Sequence, residues 1–165
     1  MQALLSYDQS PPIGAPFRFF LTAPIFGILS GLLLLWSGPG LFDSRWTPAA
    51  LALTHLITVG FMLQAMFGSL IQILPVVIGA NMAKPLRVAA IVHTAISLGS
   101  LFLVAAFLSF EPTLFKIASI LLGFGVVYFV GSAARALAGI PATSPTVQGL
   151  KLALVGLTVT VGLGV

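Results

Sequence analysis

The sequence predicts an all-α protein, a polytopic bundle of about five transmembrane helices, and three observations predict it. Hydrophobic residues fill 59% of the 165 positions and charged residues only 6%, whereas soluble domains carry roughly a quarter charged residues. Mean hydropathy is +1.16, so polar sequence is too scarce to coat a water-soluble globule of this size. The apolar sequence also falls into stretches of about 20 residues or more, the length a helix needs to cross a hydrocarbon core of roughly 30 Å.

The first span is expected at about 17–36. It is too long for the apolar region of a cleaved signal peptide, no cationic segment precedes it, and SGPG makes a poor cleavage site. The second, about 47–78, follows the polar break GPGLFDSRW. At about 30 residues it exceeds what a bilayer needs, so tilt or protrusion is expected, and Pro75 should end or bend it near the far interface. The third covers about 86–110 after GANMAKP, the fourth about 113–137 after FEPT, and the fifth about 147–165 after AGIPATSPT. Each break joins glycine or proline to polar residues. The whole chain, 1–165, therefore reads as a single transmembrane domain. The last span finishes on VTVGLGV, without a polar or charged anchor. Final spans normally close on residues that prefer water, so the expectation is the front part of a larger bundle.

Seven basic and three acidic residues give a net charge of +4. They form no basic run that could follow a phosphate backbone, which argues against nucleic-acid binding. The absence of cysteine excludes disulfides, thiolate metal sites and cysteine nucleophiles. With the N-terminus in the cytoplasm, Arg18, Lys84, Arg87, Arg135 and Lys151 fall inside, while Arg45 and Lys116 fall outside with Asp43 and Glu111. The positive-inside rule predicts that orientation. Trp36 and Trp46 then flank the first outer loop at headgroup depth, as interfacial aromatics do.

Chemistry centres on two histidines, His55 in LTHLITVGFM and His93 in AIVHTAISLG, both inside predicted spans. An ionisable side chain in a membrane is a functional candidate by default, and imidazole ligates haem iron and other transition metals. The competing expectation is a neutral histidine that bonds a neighbouring helix; Ser97 and Ser100 lie on the His93 face for that purpose. His55 lies roughly 12 Å below the outer end of its span and His93 roughly 10 Å above the inner end of the next. The pair is then offset by on the order of 8 Å or more, which disfavours one shared haem. On the second helix Thr58, Met62, Met66 and Ser69 share the His55 face, while Gly60, Gln64 and Gly68 form the opposing arc. Neighbours are expected on both sides, with the methionines filling the core. On the fourth helix Ser119, Gly123, Gly131 and Arg135 should form a packing groove that ends in a snorkelling arginine. No carboxylate falls within a span, so a relay of buried acids and a hydrolytic triad are both excluded.

The segment WTPAALALTHLITVGFMLQAMFGSLIQILPVVIGA resembles part of the bacterial membrane proteins related to haem–copper oxidase subunit I, a group that grades into the NnrS family linked to nitric oxide metabolism. SPPIGAPFRFFLTAPIFGILSGLLLLWSGP and KPLRVAAIVHTAISLGSLFLVAAFL extend the resemblance to the N-terminal half of such proteins. It implies a bacterial inner-membrane protein of respiratory or nitric oxide metabolism that binds haem. His55, followed by GSLIQILPV, matches the second-helix axial ligand near the outer face and is the implied metal ligand. The resemblance assigns His93 no counterpart, and it stands as a cofactor-binding candidate on its position alone. The family's opposite ligand and the histidines of its second centre lie on later helices. The resemblance therefore implies further membrane subunits or C-terminal helices as partners beside the lipid bilayer, and no catalysis by this chain alone. The alternative from another class is a non-catalytic scaffold or accessory subunit without cofactor. A small-molecule transporter is disfavoured because no broken helix is evident at the midplane.

Overall fold

A computed structural model of the chain describes residues 7–164. Five helices in it are long and apolar enough to cross a membrane: α1 (Gly14–Ser37), α2 (Pro48–Ile78), α3 (Pro85–Ser109), α4 (Pro112–Leu137) and α5 (Pro145–Gly164). No strand occurs among the described residues. The protein is thus an all-α, multi-pass membrane bundle. Large apolar side chains such as Leu35, Ile120 and Leu152 stand 82%, 70% and 71% exposed, which only a hydrocarbon solvent makes favourable.

Local chemistry sets the ends. α1 stops at Gly38, whose φ of +60° a side chain would disfavour. After a short turn at Pro39–Phe42, the Thr47 hydroxyl accepts from the Ala50 N–H at 3.2 Å and Pro48 takes the first helical position, a standard pairing of cap and N1 proline. α2 runs on through Pro75 and closes at Gly79, a left-handed residue (φ +70°). There the Gly79 and Ala80 N–H groups both reach back, to the carbonyls of Pro75 and Leu74, at 3.0 Å. Pro75 therefore lies in the final turn, and the glycine beyond it ends the helix. Phe110, at φ +57°, turns α3 into α4, and the Glu111 carboxylate caps the start of α4 by accepting from the Thr113 N–H at 3.5 Å, and from its hydroxyl at 3.0 Å.

One feature of α2 departs from simple periodicity. Between Pro48–His55 and Gln64–Ile78 the segment Leu56–Leu63 is a π-helix. Its i→i+5 bonding places more residues in each turn than an α-helix does. The overlong helix thereby shortens, and the faces above and below the segment lose the 100° register assumed from sequence.

The core lies between α1, α2, α3 and α4. Phe67 is fully buried, stacks on Phe129 with ring centroids 4.1 Å apart and meets the edge of Phe19 at 6.3 Å. Ile71, Leu74, Val92 and Ile96 complete it. Glycines admit the closest approaches: a Cβ at Gly99 would lie 2.8 Å from Leu122, and one at Gly125 would lie 3.2 Å from the Ala95 Cβ. This seam joins α3 and α4, the most extensive helix pair, as small residues do in membranes. α5 packs more lightly on α4 through Leu154, and Lys151 Nζ donates to the Ile140 carbonyl at 2.9 Å.

Two packing expectations are corrected. Gly123 and Gly131 do not sit in a packed groove on α4; they line an open apolar cavity of about 490 Å³ shared with Thr158 and Gly162 of α5. The tight contact belongs to Gly125, which lies off the Gly123–Gly131 stripe and faces α3. On α2 the Gly60–Gln64–Gly68 arc is covered, while Thr58, Met62 and Met66 of the His55 face are exposed. Those two methionines face outward at 50% and 53% exposure instead of filling the core.

Candidate functional site

The two histidines occupy different surroundings. His55 ends the first α-helical part of α2, where its Nδ1 lies 2.7 Å from the Leu51 carbonyl one turn back. A carbonyl can only accept, so Nδ1 carries the proton and donates. Nε2 is then left with its lone pair, the state in which a histidine ligates a metal. Phe107 of α3 stacks on the ring at 4.9 Å and 27°, and Phe115 of α4 meets Phe107 edge-on at 5.0 Å. The imidazole is thus half-buried and held in one orientation. The adjoining Thr54, Thr58 and Met62 are exposed, so a flat group could lie against this side of α2 without displacing a helix.

His93 faces the interior. The Thr22 hydroxyl of α1 lies 2.8 Å from the Arg18 carbonyl and 2.7 Å from His93 Nε2. With its proton given to the carbonyl, the hydroxyl accepts the Nε2–H of His93, which occupies the nitrogen that His55 leaves free. Phe19 closes edge-on against the ring at 5.3 Å. One turn along α3, the Ser97 hydroxyl accepts from Gln64 Nε2 of α2 at 2.7 Å. These two bonds tie α1, α2 and α3 together. Gln64 is fully buried, and its Oε1 has no partner among the described residues. Sequence reading placed Gln64 on a small and polar arc but paired neither Gln64 with Ser97 nor Thr22 with His93. Spacing along one helix carries no sign of which neighbour it meets.

Thr22→Val strands the His93 N–H in an apolar setting. The expected cost is about 0.6–1.7 kcal/mol, the range of interhelical hydrogen bonds in membranes, read from unfolding by SDS in mixed micelles. A change below about 0.3 kcal/mol would mean that this bond adds nothing net.

The histidines are also far apart. His55 stacks on Phe107, and Phe107 lies fourteen residues, about 21 Å, along α3 from His93. One iron between them is out of reach. Among the described residues no three of His, Cys, Asp or Glu converge, and the two histidines, lying apart, could each offer a metal one ligand.

No family model, no curated protein and no solved structure matches the chain.

Proposed function

We propose that this multi-pass membrane protein is haem-associated, acts in respiratory or nitric oxide metabolism at a bacterial inner membrane with its N-terminus in the cytoplasm, and supplies one axial iron ligand from His55. The observation that carries the reading is the hydrogen bond from His55 Nδ1–H to the Leu51 carbonyl at 2.7 Å, which orients Nε2 for ligation beside an uncovered face of α2. Phe107 holds the ring in plane. A bound haem would supply one-electron redox chemistry; the chain's own part would be to hold and orient the ligand. His93 lies too far away to share an iron with His55, so a second protein ligand would have to come from elsewhere. A further membrane subunit or further helices would provide it.

The test is spectroscopic. Protein purified from haem-replete cells with its membrane partners is expected to show a Soret band that His55→Ala removes and His93→Ala retains. Loss of the band only in the His93 variant would reverse the assignment. A second reading, an accessory scaffold without cofactor, draws support from His93–Thr22 and Gln64–Ser97, two bonds that join helices. It gains if the wild-type protein shows no Soret band under the same conditions.

A further inference from the structure

We propose that the corner where α2 ends, α3 begins and α4 ends binds the phosphate of an anionic phospholipid headgroup. A cavity of about 420 Å³ opens there, and Lys84, Arg87 and Arg135 line it together with Asn81, Tyr128 and Ser132. Lys84 and Arg87 flank the first turn of α3, and Arg135 arrives from the last turn of α4. Three cations around one cavity repel one another unless an anion sits among them.

The protein's own acids do not fill that role. Glu111 caps α4 at the opposite end, and Asp43 follows α1 at that same end. Asp8 lines a neighbouring cavity beside Gln9 and Pro75. None of the three lines this one. Arg135 Nε donates to the Gly131 carbonyl at 2.9 Å, which leaves both terminal guanidinium nitrogens for a forked contact with phosphate oxygens. α3 also begins here without a side-chain cap, so the positive end of its dipole adds to the field.

The layering favours a lipid over a free phosphate. Arg135, Ser132 and Tyr128 descend α4 at intervals of three and four residues along one stripe. Cations thus stand at the rim, hydroxyls lie one and two turns deeper, and apolar Val88 and Ala136 share the lining. A glycerophosphate entering from the headgroup layer meets the cations first, with hydroxyls deeper for its glycerol oxygens and apolar Val88 and Ala136 beside its carbon backbone. A basic pocket between helix ends is the setting in which anionic headgroups bind. The inference is independent of haem.

Wild-type protein is reconstituted in nanodiscs of phosphatidylcholine with graded phosphatidylglycerol, and retained lipid is read by native mass spectrometry. Wild type is expected to retain phosphatidylglycerol over phosphatidylcholine by at least about tenfold, and Lys84→Gln/Arg87→Gln/Arg135→Gln should erase that preference, at about fivefold per cation. Arg45→Gln/Lys116→Gln, at the opposite end, should keep it. Equal loss in both variants, or no headgroup preference in wild type, overturns the proposal. Millimolar inorganic phosphate separates the two sources: it should leave bound phosphatidylglycerol in place, and displacement would overturn the lipid assignment in favour of a soluble phosphate. If the triple variant loses helical circular dichroism, Arg135→Gln alone, at an exposed position, should still cut retention about fivefold, and unchanged retention there overturns the proposal.

Discussion

Replacing Phe67 with alanine is expected to lower stability by about 3 kcal/mol, measured by SDS unfolding in mixed micelles. The ring is fully buried, stacked on Phe129 and edge-on to Phe19, so it joins α2 to α4 and to α1. In water, much of such a loss comes from transferring the ring out of solvent. Here the unfolded helices remain in lipid, as apolar as the core, and that contribution is largely absent. What remains is the lost dispersion contact and the cavity, which scales with volume at about 24 cal/mol per Å³. The estimate therefore sits at the low end of the range for aromatic truncation. Phe67→Leu keeps most of the volume and should lose roughly half as much. A loss below about 1 kcal/mol for the alanine variant would mean that the aromatic contacts do not hold these helices together.

Gly60→Ala should cost about 2 kcal/mol by overpacking. A Cβ there would stand 2.6 Å from Phe26 Cγ and 3.0 Å from Phe26 Cβ, atoms near the root of that side chain that cannot swing aside. Either α1 moves or Leu56–Leu63 does. Combining Gly60→Ala with Phe26→Ala should recover part of the loss, because contacting residues couple in a double-mutant cycle. Gly123→Ala is the control: nothing lies within 4 Å of a Cβ there, and its effect should stay within about 0.5 kcal/mol. Equal effects at the two glycines would contradict the packing described.

Much of the fold was legible in the sequence. The expected first span, about 17–36, corresponds to a helix at Gly14–Ser37, and the fourth, about 113–137, to one at Pro112–Leu137. The helices start slightly earlier because proline fits the first turn, where its missing N–H is not needed. The π-segment of α2 was not legible: LITVGFML is ordinary apolar sequence, and its widened turns arise where α2 fits Gly60 against Phe26 and Gln64 against Ser97. Thr58, Met62 and Met66 still share one face across it; their coverage was misjudged because none of the described helices of this chain packs on that face.

The site divides in the same way. Both histidines were visible because an imidazole in a hydrocarbon run is conspicuous on its own. That His55 keeps Nε2 free while His93 gives Nε2–H to Thr22 was not visible, since Thr22 lies 71 residues from His93. The basic cavity escaped for a related reason. The alternation of spans puts Lys84, Arg87 and Arg135 on one membrane side, yet nothing in their spacing shows that they line one space.

By itself the sequence determined the solvent, the five spans and the end of the bundle that gathers positive charge. Partition between water and lipid is summed residue by residue, so composition within a segment is enough to decide it. Only the tertiary structure decided which glycines meet a neighbour, which histidine nitrogen is left free and which cations converge. These depend on the rotation and axial offset of one helix against another. In a bilayer, close packing and hydrogen bonds between distant segments set those two quantities, and hydrophobicity along the chain does not encode them.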